Sequence, residues 1–109
     1  MEYIFSYGTL QKSEVQLRLF GRPLRGWEDT LEGFKTSDIE IDDERFLAGG
    51  GGRRQLTAVA SSGDAISGMV FEIPSSELAL TDRYEPNNYE RIAVTLNSGK
   101  QAWLYLQKI

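Results

Sequence analysis

The chain contains neither cysteine nor histidine. Without a thiol there is no disulfide, no CxxC redox pair, no cysteine nucleophile and no thiolate metal site. Without an imidazole there is no histidine-bearing catalytic triad and no zinc finger, and most transition-metal chemistry is excluded with them. Acid-base work therefore falls to Asp, Glu, Tyr or Lys. Also missing are a signal-peptide segment and any apolar run of about 18 residues or more. Lys and Arg number 12 against 16 Asp and Glu, a formal charge of -4 with no long basic stretch. Broad attraction to a phosphate backbone is not expected. These absences predict a cytoplasmic protein with neither a membrane nor a nucleic-acid partner.

What is present fits one ordered domain over residues 1–109, with 40% hydrophobic and 26% charged residues. That composition buries a core without disulfides or metal. Residues 2–7 read as a strand, and Gly8 marks the turn after it. Ser13 as N-cap with Gln16 three residues on has the form of a capping box. Leu17, Leu19 and Phe20 supply apolar material for the helix that follows, and Gly21 and Pro23 stop it.

Residues 31–34 and 39–41 suggest two short strands, or one bent strand, around the polar Lys35-Thr36-Ser37-Asp38. Residues 42–55 carry four consecutive glycines and Arg53-Arg54, which predicts an exposed, mobile loop. A plain flexible loop and a substrate lid are both compatible with the run 49–52, which lacks the Lys-Ser/Thr ending of a phosphate loop. Residues 56–60 and 65–73 read as strands joined by a turn at Ser61-Ser62-Gly63-Asp64. Gly68 marks a bulge or the close approach of another backbone. A helix is expected from Ser75 or Ser76, either as cap, to about Tyr84, ended by Pro86-Asn87-Asn88. The clearest sheet signal comes last. Ile92, Val94 and Leu96 alternate with polar or small residues, Asn97-Ser98-Gly99 turns the chain, and Ala102, Leu104 and Leu106 alternate with Trp103 and Tyr105.

Two segments carry candidate chemistry. Tyr7-Gly8-Thr9-Leu10 follows a strand and precedes a helix, where glycine lets the backbone approach a ligand and turn several N–H groups to one point. An ordinary strand-to-helix connection has the same pattern. Leu78, Asp82 and Glu85 fall at i, i+4 and i+7, close to one helix face. Glu85 sits at the negative end of the helix dipole, which raises its proton affinity and suits a general base. As a solvated helix-end acid it would be unremarked. Asp82 is expected to pair with an arginine. Tyr89 and Arg91 begin the next strand at alternating positions, so both point to one side. Tyr89 offers a phenolic hydrogen bond or packs at the core edge, and Arg91 pairs with Asp82 or a substrate carboxylate. Trp103 and Tyr105 read first as sheet packing.

Phe5-Ser6-Tyr7-Gly8-Thr9-Leu10, the strand containing Gly68, Thr81-Asp82-Arg83-Tyr84-Glu85, Tyr89, Arg91 and Ala102-Trp103-Leu104-Tyr105 together resemble the gamma-glutamylcyclotransferase-like, or AIG2-like, family. The resemblance runs through nearly the whole chain in the same order. It implies an α+β fold, a small mixed β-barrel-like sheet with short flanking helices. It also implies that the Tyr7-Gly8-Thr9-Leu10 turn binds the glutamyl part of a substrate through backbone N–H groups and that Glu85 is the catalytic acid-base residue. Tyr89 and Tyr105 complete the expected substrate-binding set. The implied reaction converts a gamma-glutamyl amine or amino acid to 5-oxoproline and a free amine, and needs no cofactor or metal. Two departures stand out: Thr81 replaces the usual leucine before the aspartate, and Pro86 replaces the glycine after the acid. They leave room for a non-catalytic metabolite-binding or interaction module on the same fold.

Overall fold

In the computed structural model, which describes residues 1–108, β1 (Glu2–Ser6) lies in the middle of a five-stranded sheet. It is flanked by β3 (Arg54–Ile73), antiparallel, and β5 (Gln101–Gln107), parallel. The edges are β2 (Arg25–Glu40), beside β3, and β4 (Tyr89–Thr95), beside β5, giving the order β2-β3-β1-β5-β4. Successive side chains of a strand point to opposite faces, and the central strands use this to feed two cores. Phe5, Val70 and Leu104 pack on one face with Leu31, Ala58 and Ile66. Ile4, Phe71 and Tyr105 pack on the other with Leu10 and Val15.

Two helices, α1 (Ser13–Phe20) and α3 (Leu78–Tyr84), cover that second face through Val15, Leu19, Leu78 and Tyr84. The mixed sheet with short flanking helices is as expected, but the barrel is not. The sheet is open: among the described residues β2 pairs with β3 alone and β4 with β5 alone. Where closure would need a ladder between these edges, isolated bonds stand instead. Asn97 N–H donates to the Thr30 carbonyl at 2.9 Å, and Asp29 accepts from Ser98 N–H and Oγ–H.

Of the two readings of residues 31–41, the single bent strand is the one observed, while the two strands expected at 56–60 and 65–73 are one continuous strand. β2 keeps pairing through Lys35, Thr36, Ser37 and Asp38, opposite Val59, Ala58, Thr57 and Leu56. A polar stretch is acceptable in an edge strand whose outer side faces water. The turn chemistry at residues 61–64 is present, yet it makes no hairpin. It forms a bulge where the register shifts between Glu32 and Phe34, with Gly33 at φ 86° and Gly63 at φ 87°. The bulge bends the β2–β3 ribbon, bringing residues 56–58 near the ends of β1 and β5. Tyr7, Tyr89 and Gln107 all bond to this bent segment.

Four local expectations are corrected. Ser13 is inside α1, Lys12 is the N-cap, and no side chain caps the helix. Gln16 is buried; it donates to the Leu10 carbonyl and accepts from Leu24 N–H, both at 2.8 Å, so its amide joins the two ends of α1's surroundings. Leu17 is 52% exposed, outside the core. Pro74, with no side-chain cap, precedes the 3₁₀ turn Ser75–Glu77 that leads into α3, so neither Ser75 nor Ser76 caps. Finally, residues 42–55 are not simply a loop: α2 (Glu44–Ala48) stands there, capped by Asp43 and anchored by buried Phe46. Gly49, Gly50 and Gly51 donate their N–H groups back to α2 carbonyls, so the run starts as an extension of the helix. Among the described residues no helix is long and apolar enough to cross a membrane.

Candidate functional site

The end of β1, the 3₁₀ turn Thr9–Gln11, the exit of α3, the start of β4 and the bent part of β3 surround a cavity of about 740 Å³. The residues expected to catalyse or to form the substrate-binding set line it, Tyr7, Gly8, Thr9, Leu10, Glu85, Tyr89 and Tyr105, whereas Asp82 and Arg91 do not.

Glu85 owes its place to the proline after it. A residue preceding proline is driven out of the helical region, and Glu85 has φ -69° and ψ 152° while Tyr84 still closes α3. Its direction therefore departs from the helix periodicity. Asp82 stays on the outside, exposed, and does not share a wall with Glu85. The Glu85 carboxyl keeps partial exposure because it lines the cavity, while the protein around it removes bulk water. That burial pushes its pKa up to about 8, and among the described residues neither a salt bridge nor a side-chain hydrogen bond offsets it. The shift was anticipated, but its cause is desolvation and not the dipole of a seven-residue helix.

Three tyrosines feel the Glu85 charge. Tyr7 and Tyr89 are raised by burial first and by Glu85 in addition, and Tyr84 is raised by burial and then by Glu85, so all are neutral near pH 7. Their hydroxyls are committed elsewhere. Tyr7 donates to the Tyr105 carbonyl at 2.6 Å and accepts from Ala58 N–H at 3.0 Å. Tyr89 donates to the Leu56 carbonyl at 2.6 Å. Tyr84 shares a 2.5 Å hydrogen bond with Thr9 Oγ1, tying the turn after β1 to α3. Tyr7 and Tyr89 are thus fixed to the bent β3 segment and Tyr84 to the turn after β1.

The Tyr7-Gly8-Thr9-Leu10 turn presents backbone donors to the cavity. Gly8 N–H makes only a 3.4 Å contact with Ser6 Oγ. Thr9 and Leu10 begin the 3₁₀ turn, and among the described residues their N–H groups find no acceptor. Such first-turn donors need a partner from outside the helix. A Cβ added at Gly8 would meet nothing within 4 Å, so packing does not require glycine here and the open space belongs to the cavity.

Tyr105 lines the cavity, but its hydroxyl is directed to α3. That hydroxyl donates to Asp82 Oδ1 at 2.5 Å and is 2.7 Å from Thr81 Oγ1. Thr81, 1% exposed, has a single hydroxyl proton, shared between the Leu78 carbonyl and the Tyr105 oxygen. Threonine at this position thus links α3 to β5 through a polar contact that leucine could not make. Asp82 forms a two-pronged pair with Arg91, 2.9 and 3.2 Å. Partial burial opposes ionisation of Asp82, but the Tyr105 and Arg91 bonds hold its carboxyl below the usual value. Arg91 lies over Trp103, 4.4 Å from the ring centre, so it does not share the cavity with Tyr89.

Sequence reading missed α2. Arg45 Nη1 donates to the Arg83 carbonyl at 2.5 Å and Nη2 to the Glu85 carbonyl at 3.2 Å. Phe46 meets Tyr84 edge-on at 6.3 Å. The available signal was Asp43, an N-cap residue type ahead of Phe46-Leu47, hidden by the glycine run behind it.

The sequence model of the family described as "Gamma-glutamyl cyclotransferase, AIG2-like" matches residues 4–109. Among curated proteins there is no match. Among solved structures, an Arabidopsis thaliana protein is similar with a TM-score of 0.74 and 26% identity, over 97% of this chain and 68% of that one. A structure named gamma-glutamyl cyclotransferase is similar with a TM-score of 0.79 and 19% identity, over 98% of this chain and 66% of that one. An uncharacterized Homo sapiens protein follows with a TM-score of 0.77 and 21% identity, over 99% and 67%. The chain thus spans about two thirds of the length of these structures, and at such identities the last two speak for the fold alone. With the family match covering nearly all of the sequence, the chain belongs to the gamma-glutamyl cyclotransferase, AIG2-like family.

Proposed function

We propose that the protein is a gamma-glutamyl cyclotransferase that converts a gamma-glutamyl amine or amino acid to 5-oxoproline and a free amine, with Glu85 as general base. The observation that carries this reading is an unpaired carboxylate with a pKa near 8, lining the same cavity as the free amides of Thr9 and Leu10. A base tuned close to the working pH combines an adequate ionised fraction with useful basicity.

Glu85 takes one proton from the substrate α-ammonium. The freed nitrogen attacks the γ-carbonyl carbon of the same molecule and closes a five-membered ring. As the tetrahedral intermediate collapses, the original C–N bond breaks, Glu85 returns its proton to the departing nitrogen, and the surplus proton of the ring nitrogen passes through Glu85 to the released amine, which leaves as its ammonium. Nucleophile and electrophile are tethered, which supplies much of the rate advantage without a metal or cofactor. The Tyr7-Gly8-Thr9-Leu10 amides serve either the substrate α-carboxylate or the developing oxyanion. Gly8→Ala fills the open space beside them and separates these roles. A raised KM at constant kcat marks carboxylate binding, whereas a kcat loss marks the oxyanion.

Release of 5-oxoproline from a panel of gamma-glutamyl amides, followed by liquid chromatography, tests the reading. Turnover of at least one member is expected. Saturable binding of the panel with no product, at enzyme levels sufficient for single turnover, leaves a non-catalytic binding module instead. The pH profile gives a second check. Glu85 is mostly protonated at pH 7, so kcat should rise about tenfold per pH unit below 8 and level off above it. A flat profile between about pH 6 and 9 would remove Glu85 from the base role.

A further inference from the structure

The corner that carries Glu85 is held from outside by a second element. Pro86, buried, has no N–H to give. The carbonyl before it, on Glu85, accepts from Arg45 Nη2 at 3.2 Å, and the N–H after it, on Asn87, donates to Asp43 Oδ2 at 2.8 Å. Asp43 and Arg45 are themselves joined, Nη2 to Oδ2, at 3.4 Å. The other Arg45 nitrogen takes the Arg83 carbonyl, a helix-end acceptor with no partner of its own inside α3. Asp43 Oδ1 meanwhile accepts from Arg45 and Phe46 N–H, so the clamp and the cap of α2 are one structure.

We infer that Asp43 and Arg45 are positioning residues: together they fix the backbone on both sides of Pro86 and so set where the Glu85 carboxylate sits in the cavity. This role builds on Glu85 acting as the base. It is also the place where α2 acquires a purpose, because a five-residue helix with one buried side chain does not fold for its own stability. The clamp works through geometry and not through charge. Tyr7 at the end of β1, Tyr84 of α3 and Tyr89 of β4 face Glu85 as neutral groups. Lys12, Glu14 and Arg18 on the α1 side, and Asp38 and Arg54 on the ribbon, line the wider cavity. Neither these charges nor Arg45 contributes to the Glu85 shift, which comes from burial alone.

That distinction fixes the sign of the test. Carbon-13 carboxyl NMR, with Glu85→Gln used for assignment, follows the Glu85 titration in the parent, Arg45→Lys and Arg45→Ala, beside thermal melts and steady-state kinetics. If the clamp holds the carboxylate in the cavity, Arg45→Ala lets it reach water, and the midpoint falls from about 8 by one unit or more. Loss of a mere cation would raise the midpoint instead. The kcat should fall on the order of 10- to 100-fold with KM within about twofold, as displacement of a catalytic group does. Arg45→Lys keeps the charge without the two-pronged fork and should move both readouts the same way by less; should Arg45→Ala fail to fold, this variant decides. A folded variant whose midpoint is unmoved or raised overturns the positioning role, whatever its kcat. A parent that makes no 5-oxoproline while the midpoint still falls leaves the clamp standing and removes the cyclotransferase reading.

Discussion

Glu85→Gln is expected to lower 5-oxoproline release by roughly 10²- to 10⁴-fold, the range supplied by a positioned acid-base group. The amide keeps the size of the side chain, so substrate affinity should stay within a few-fold of the parent, measured by calorimetry. The same substitution should stabilise the protein at alkaline pH. In the fold the carboxyl titrates near 8, against 4.5 for an ordinary glutamate. The folded state therefore favours the protonated form. Stability is complete below about pH 4.5 and is lost as pH climbs through the folded pKa, to a limit of roughly 4 to 5 kcal/mol above pH 8. Glutamine never ionises and escapes that loss. Denaturant melts at pH 5 and pH 9 should show near-equal stability at the first and a clear advantage for Glu85→Gln at the second. Equal pH dependence in parent and variant would mean that Glu85 is not desolvated. Activity retained in full would remove it from the mechanism.

Gly68→Ala should be severely damaging for a single-methyl change. A Cβ at this position of β3 would run into the Ser6 carbonyl oxygen and come within 2.9 Å of Phe5 Cζ. Phe5 is 1% exposed at the centre of one core, and Ser6 is held in the β1–β3 pairing, so neither can move aside cheaply. Overpacking of this kind costs about 3 kcal/mol, which lowers Tm by roughly 10 to 20 °C in a chain of this size. The damage also reaches the cavity, because Ser6 leads directly into Tyr7 and Gly8. Calorimetry of Gly68→Ala checks it, and a Tm within about 2 °C of the parent would show that β1 can shift away without loss.

The parts legible in the sequence are those whose signal is local. β4 and β5 obey strict alternation around Asn97-Ser98-Gly99, and Gly99 takes φ 88°, so the hairpin follows from a dozen residues. Gly68 announced a close backbone approach and Asp82 an arginine partner, and both are in place. Elements that depend on distant pairing were not legible. Ser61-Ser62-Gly63-Asp64 has every feature of a turn, and only the continuous partner strand β2 makes it a bulge. Ser13 and Gln16 match a capping box, yet Gln16 goes to Leu10 and Leu24, which lie outside the helix. The barrel implied by resemblance needs two edges to meet, and edge pairing leaves no mark in either strand. At the site, the raised proton affinity of Glu85 could be anticipated, whereas the burial that causes it could not. Arg45 was invisible for a related reason: its partners are backbone carbonyls, which any sequence provides.

The position of β1 between β3 and β5 has a consequence for how the protein comes into being. Residues 4 and 5 pair with 103 and 104, so β1 stays half-unpaired until a strand about a hundred residues further on arrives. Closing a loop of that span is the slow kind of folding event, and during synthesis it must wait for β5 to emerge. Tyr7 and Tyr105 meet across the same junction. The pocket is accordingly assembled late, and a chain that stalls before the β4–β5 hairpin docks has Ile4 and Phe5 covered on the β3 side alone and no cavity wall from Tyr89 and Tyr105.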